Sequence, residues 1–324
     1  LDKPDLEMDE APRDGQPEIA GFWRRTGAFV LDTLVVGLVG LSLGLFLHDQ
    51  FEAMGAWGRV VGFLVALAYF GVMESRLSHG RTLGKLALGI KVVTAAGAPL
   101  GFGKALLRSA VFYVPLFLNG AILGSGQPDL ALTAIQVLLV FGLGGTIAYL
   151  YLFNVRTRQS VHDLLVGAVV VRARTAAAPR LLPVWRGHIV AVAAWFALVI
   201  GATAYIESMT GYAPLLSLMS VQQKVNRLPG VSNASVLGGT SFATGNKRIN
   251  YLTIRAVTGS AAVDEKALAN SIAKIALATY PYVQQMDTLS VALLHGYDIG
   301  IASSWNSKIF NGSPDDWRQG RVGK

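Results

Sequence analysis

The 324-residue chain is 52% hydrophobic and only 15% charged, against roughly 25% charged for a soluble domain, which excludes an ordinary water-soluble architecture for most of its length. It has no cysteine, so disulfides, Cys-ligated zinc, iron–sulfur clusters and thiol catalysis are excluded. A net charge of +8 would suit nucleic acid, but the basic residues gather in two connections between apolar stretches, as membrane proteins arrange them.

Residues 1–20 carry Asp2, Asp5, Glu7, Asp9, Glu10, Asp14 and Glu18 with Pro4, Pro12 and Pro17. With no apolar period they read as a disordered, solvated tail, and no basic-then-apolar signal peptide is expected there. Five stretches then approach the ~20 apolar residues that a bilayer span needs: Thr26–Leu47, Trp57–Met73, Ser109–Gly126, Leu130–Val155 and Ile189–Ile206. The first contains Asp32, with Arg24 and Arg25 two turns before it. A carboxylate at a helix centre in lipid costs roughly 2.5–3.5 kcal/mol even on the lenient insertion scale, so Asp32 needs a partner, water or a function.

Between the second and third stretches lie Arg76, Arg81, Lys85, Lys91, Lys104 and Arg108. Between the fourth and fifth lie Arg156, Arg158, Arg172, Arg174, Arg180 and Arg186. The first connection has Arg59 alone and the third has no Lys or Arg. This alternation predicts a cytoplasmic N-terminus, two cytoplasmic basic loops, and an outer location for everything after the fifth span. In the first basic loop, Arg81–Gly89 reads as a short interfacial helix whose Arg81 and Lys85 reach for headgroups. Ile90–Thr94 reads as a strand. Ala168–Arg172 in the second basic loop reads as another, and two lone strands at one face are expected to pair. Glu74 and Arg76 are expected to face headgroups and the cytoplasm. In the fourth stretch Gly142, Gly144 and Gly145 mark close helix packing or a broken, substrate-binding helix.

Residues 175–187 read as a linker before the fifth span, residues 188–206. Residues 207–302 read as an extracytoplasmic α+β domain in the order α-β-β-α-β, with two helices on one sheet face and a split, ferredoxin-like arrangement. Residues 303–324 have no period; Trp305, Phe310 and Trp317 make them a candidate partner-binding tail.

Arg25 and Asp32 are seven residues apart, about 10 Å along one helix face, and cannot bond each other. Arg108, or Arg25 through water, is the expected partner of Asp32; Asp163 is the expected partner of Arg25. His162-Asp163 is expected to bind a neighbouring Arg and cap the next element rather than hold a metal.

Three ordered motifs resemble the RDD family of bacterial membrane proteins: Gly21–Asp32; Arg81-Thr-Leu-Gly-Lys-Leu-Ala-Leu-Gly89 with its continuation to Val93; and Arg158–Asp163 followed by Gly167–Arg172. The resemblance covers about residues 21–172, and a membrane domain of residues 21–174 is drawn on it. It maps the family's Arg to Arg25 and its two Asp to Asp32 and Asp163, with Arg81, Gly84, Lys85, Gly89 and His162 as loop-motif residues. It implies a four-helix core in a bacterial inner membrane, and for the family a role in transport has been proposed. No family is recognised after residue 206.

Two functions follow. One is a non-catalytic accessory or scaffold subunit of a larger membrane complex, with the outer domain gripping a partner. The other is ion- or proton-coupled transport, with Arg25, Asp32, Asp163 and Arg108 as polar centre. No Walker loop, dinucleotide fingerprint, HExxH or nucleophile elbow appears, so no enzyme, cofactor or metal is expected. The expected partners are the lipid bilayer and other membrane subunits, with a second copy of this chain as a further candidate and no nucleic acid.

Overall fold

Apolar runs without helix breakers dominate the first two-thirds of the chain, and they fold as helices. The computed structural model describes residues 18–121, 130–174, 178–179, 181–208, 213–243, 247–259 and 264–322. Helix α1 spans Phe22–Phe46, α2 His48–Met54 and α3 Gly58–Met73; the short α4 (Leu83–Ala87) precedes strand β1 (Ile90–Thr94), and α5 spans Phe102–Leu118. Helices α6 (Leu130–Val137) and α7 (Gly144–Phe153) flank a π-helical turn at Leu138–Leu143. Then come α8 (Val161–Val166), β2 (Ala168–Arg172) and α9 (Arg186–Ser208).

Among the described residues four helical stretches are long and apolar enough to cross a membrane: Phe22–Phe46, His48–Met73, Ala131–Phe153 and Arg186–Ile206. The predicted stretch Ser109–Gly126 corresponds instead to α5, which starts earlier and ends at Leu118. At 1.5 Å per residue its 17 residues reach about 25 Å, at the lower limit of what a bilayer span needs, so α5 can still make the third of five crossings; Lys104 and Arg108 occupy its first half. Residues 122–126 of that stretch lie outside the described residues.

Contacts divide the chain into two compact units. The first takes residues up to Gly40, Val60–Gly120 and Gln136–Val199. Here the two predicted strands do pair: β1 and β2 are antiparallel, with Ile90 opposite Arg172 and Thr94 opposite Ala168. Their buried Ile90, Val92, Ala168 and Val170 share one core with Ala28 and Ala105. The expected tail is ordered at its end, where Ile19 bridges Val171 and Glu18 pairs with Arg172 at 2.6 Å; residues 1–17 lie outside the described residues. The glycines of the fourth stretch serve packing. A Cβ on Gly142 would come within 2.7 Å of the Phe196 ring, and one on Gly144 within 3.2 Å of Pro115. One on Gly145 would come within 2.5 Å of Trp195 Nε1, which donates to the Phe141 carbonyl at 2.9 Å.

The second unit takes Leu41–Arg59, Ala121–Ile135 and everything from Ile200. Its α+β part runs α10 (Ala213–Asn226), β3 (Val231–Ala243), β4 (Lys247–Thr258), α11 (Glu265–Thr279), β5 (Thr288–Asp298), β6 (Ser303–Gly312) and α12 (Pro314–Arg318). The sheet order follows the chain, β3-β4-β5-β6, and the middle pair β4–β5 is parallel, crossed over by α11. The ferredoxin-like expectation is therefore corrected: a split arrangement needs a strand between the parallel pair, and here the pair is adjacent. Period-2 alternation sends Leu252, Ile254 and Ala256, and Leu289, Val291 and Leu293, to one face, where Val221 of α10 and Leu268 and Ile272 of α11 cover them.

The expected tail is also corrected. Residues 303–312 are the fourth strand, and Ser313 caps α12 through a reciprocal bond set with Asp316. Phe310 and Trp317 are buried in this domain's own core, with Trp317 Nε1 donating to the Leu289 carbonyl at 2.8 Å. Phe310 is the one buried residue of β6, so no alternation of apolar and polar residues marks this strand in the sequence. The connection between α1 and α3 belongs to this unit as well. Phe51 packs on Tyr297, and Arg59 pairs with Asp298 at 2.5 Å.

If Phe310 is a core residue, Phe310→Ala should destabilise the C-terminal domain by about 3–5 kcal/mol. A melt of the full chain followed by near-ultraviolet circular dichroism checks this; an unchanged midpoint would show that the ring is not part of the core.

Candidate functional site: a buried chain of alternating charges

Helix α1 brings two of the expected residues inward, two turns apart. Arg25 near its start and Asp32 in its middle are both buried, and each meets a different part of the first unit. Asp32, with no exposed surface, accepts three hydrogen bonds. Tyr69 hydroxyl (2.8 Å) and Gly84 N–H (2.8 Å) reach Oδ1, and Thr82 Oγ1 (2.5 Å) reaches Oδ2. Lys85 Nζ stands 3.8 Å away. Neither Arg108 nor Arg25 is the partner: Asp32 is satisfied by the turn that opens α4. Thr82 is the N-cap of that helix and also receives Lys85 N–H at 3.2 Å.

From Asp32 the charges alternate through the unit. Lys85 Nζ donates to Glu74 Oε1 at 2.8 Å and lies 5.7 Å from the centre of the Phe70 ring. The other Glu74 oxygen accepts from Arg108. Arg108 grips Asp163 Oδ1 with Nε (2.9 Å) and Nη2 (2.7 Å). Asp163 Oδ2 accepts from Arg25 Nη2 at 3.0 Å, and Arg25 Nη1 donates to the Arg158 carbonyl. The Arg25 guanidinium also stands 5.0 Å from the centre of the Tyr151 ring. The order is Asp32, Lys85, Glu74, Arg108, Asp163, Arg25, all buried, three of each sign. It joins α1, the end of α3, α4, α5 and α8.

The expectation for Arg25 with Asp163 holds. Those for Glu74 and Lys85 are corrected: instead of reaching headgroups they neutralise each other inside. Glu74 follows the last apolar residue of its stretch, so its position alone suggests an interface; only the fold of the following turn brings Lys85 and Arg108 over it. Tyr69 and Thr82 were not anticipated as partners of Asp32. The Thr-x-x-Lys spacing of a capped first turn was the available signal.

The loop-motif residues have separate duties. Gly84 sits against α1, where an added Cβ would collide with the Ala28 carbonyl oxygen and come within 3.0 Å of the Asp32 carboxyl carbon. That crossing admits only glycine, and it brings the Gly84 N–H to Asp32. Gly89 ends the α4 turn at φ +65°, a backbone region that favours glycine, and its carbonyl accepts from Ala173 N–H. Arg81 is half-buried, and its Nε has no hydrogen-bond partner. Asp163 is the third residue of α8 and accepts the Ser160 N–H at 3.2 Å, so it caps the helix while binding both arginines. His162 is buried against the Phe112 ring, its Nε2 3.5 Å from Asp163 Oδ1.

Burial by itself would raise the Glu74 carboxyl; Arg108 and Lys85 outweigh it and hold it down to about 2. Burial likewise opposes ionisation of Asp163, which a protonated His162, Arg108 and Arg25 pull well below the ordinary carboxylate range. Burial pushes His162 down to about 4, more strongly than Asp163 lifts it. The imidazole is therefore neutral at pH 7, and the two guanidiniums keep Asp163 charged.

Beside this network lies a cavity of about 320 Å³, walled by Phe29, Phe70, Phe112, Leu116 and Ile147 and bordered at one end by Arg25, Lys85, Arg108 and Glu74. Trp305, expected in a partner-binding tail, sits in the second unit on β6 and is 44% exposed.

A helical membrane domain is thus closed by a strand pair and a buried alternating charge network built on one Arg and two Asp. Residues 19–167 match the family model of the RDD family, which is consistent with an RDD-family protein. The match ends before α9 and the α+β domain. Searches of the curated proteins and of the solved structures return no match.

Acid should weaken the first unit in two steps. His162 titrates near 6.5 when unfolded and about 4 when folded, so the unfolded state binds the extra proton between those values and stability falls as pH drops through that window. Glu74 moves from 4.5 to about 2, so its contribution is complete above pH 4.5 and is lost as pH falls toward 2. His162→Asn should remove the upper step and leave the lower one in pH-dependent melts; an upper step that persists in this variant would mean another group causes it.

Proposed function

We propose that the protein is a non-catalytic accessory or scaffold subunit of a larger assembly in a bacterial inner membrane. Its N-terminus and basic connections lie in the cytoplasm and its C-terminal domain outside. The observation that carries this reading is that each of the six buried charges is matched by opposite charge at hydrogen-bond distance or close to it. A closed, neutral network holds helices in register; a pump or carrier needs a charge that gains and loses its counter-ion. The proposed topology is supported by residues 41–59, which fall in one compact unit with the C-terminal domain and carry a single Lys or Arg, Arg59 at the start of α3. The partner surface we assign is β6, an edge strand of the sheet with Trp305 and Ile309 exposed. An edge strand bearing apolar side chains is a template for another chain.

Gentle detergent extraction should recover the chain in a complex larger than itself, and a Trp305→Glu/Ile309→Glu double variant should leave that complex while still folding. Recovery of the wild type only as a monomer or homo-oligomer would refute the scaffold role.

One observation favours the transport reading: the cavity adjoins the charge network. On that reading Asp32→Asn should abolish ion-coupled flux in proteoliposomes with folding preserved. Equal flux in the variant, or no flux in the wild type, would remove it.

A further inference from the structure

The cavity of the first unit is not used by the scaffold role. Its volume, about 320 Å³, falls in the range of small-molecule sites, and like them it is mostly apolar with a few polar groups at one end. The network presents its charges unequally. Arg25, Lys85, Arg108 and Glu74 border the cavity, whereas Asp32 and Asp163 do not. Three cations against one carboxylate thus face the space, and the two remaining carboxylates stand behind them. The network is neutral as a whole, yet its cavity side is positive.

Two donors at this end have unused capacity. Arg25 donates through Nη1 and Nη2, and its Nε makes no hydrogen bond among the described residues. Tyr113 borders the cavity and is only 8% exposed, and its hydroxyl makes no hydrogen bond among the described residues. A phenol hydroxyl that borders the cavity can donate to a ligand oxygen there.

We propose that this cavity binds an anionic amphiphile: an acidic head, carboxylate or phosphate, accepts from Tyr113 and Arg25, and one aliphatic chain lies among Phe29, Phe70, Phe112, Leu116 and Ile147. The positive side of the network supplies selectivity for the anion. The apolar walls pack against the chain, and because lipid is as apolar as they are, the charged end decides which amphiphile is held. The source of the head group is either a bilayer lipid or a free fatty acid, and both offer the same chemistry to the site.

Native mass spectrometry of the full chain in a non-ionic detergent tests this with oleate, phosphatidylglycerol and oleyl alcohol as probes. The expected result is a one-to-one adduct with oleate or phosphatidylglycerol at concentrations where uncharged oleyl alcohol gives none. An adduct with oleate alone identifies a free acid as the source, and one with phosphatidylglycerol alone identifies a membrane lipid. Ala148→Phe, which fills the cavity from α7, should abolish the adduct. Tyr113→Phe, which keeps the ring and removes only the hydroxyl, should weaken it about tenfold and tests the site even if the bulkier variant does not fold. Equal retention of oleyl alcohol, no adduct with either anion, or full binding by Tyr113→Phe would overturn the proposal. None of these outcomes depends on whether the chain is recovered in a larger complex.

Discussion

The buried run Asp32–Lys85–Glu74–Arg108–Asp163–Arg25 constrains everything else in the first unit. Taking six charges out of water costs several kcal/mol per ion, and their mutual attraction offsets that only when partners are placed to within tenths of an ångström. The network therefore adds little net stability over an apolar core of the same volume. It heavily penalises any arrangement in which one partner is misplaced, since removal of one side of such a pair costs about 3–5 kcal/mol. Helix α1 cannot rotate without freeing Arg25 or Asp32, and α5 cannot slide without freeing Arg108 from both Glu74 and Asp163.

The rest of the domain serves this geometry. Gly84 lets the backbone of the α4 turn approach α1 closely enough to offer its N–H to Asp32. The β1–β2 pair joins the two connections that carry Lys85 and Asp163. Asp163 caps α8 with the same oxygen that receives Arg25. A substitution in the strands or in the α4 turn would therefore act on the charges indirectly, by moving their supports. The cavity lies beside the same arrangement, lined by aromatic rings and by Arg25, Lys85, Arg108 and Glu74 of the network.

The C-terminal domain obeys different physics. It is an aqueous fold with a period-2 sheet and two amphipathic helices on one face, and its stability comes from apolar burial. Its sequence calls for no charge network, and one partly buried ion pair, Arg59–Asp298, joins it to the start of α3.

Composition, the length of the apolar stretches and the spacing of Lys and Arg determined by themselves that this is a membrane protein with an appended α+β domain. The three motifs singled out Arg25, Asp32 and Asp163 by resemblance, without saying what each one meets. These features are local or periodic, so they survive without coordinates. Tertiary structure alone decided which charge meets which. Glu74 and Lys85 look like boundary residues in one dimension and become interior partners only when the α4 turn folds back on α1. It also decided that residues 303–312 form the last strand of the sheet. Phe310 is the one buried residue of that strand, so nothing periodic announces it until β5 is there to supply its hydrogen-bond partners, because a β-strand is satisfied only by its neighbour.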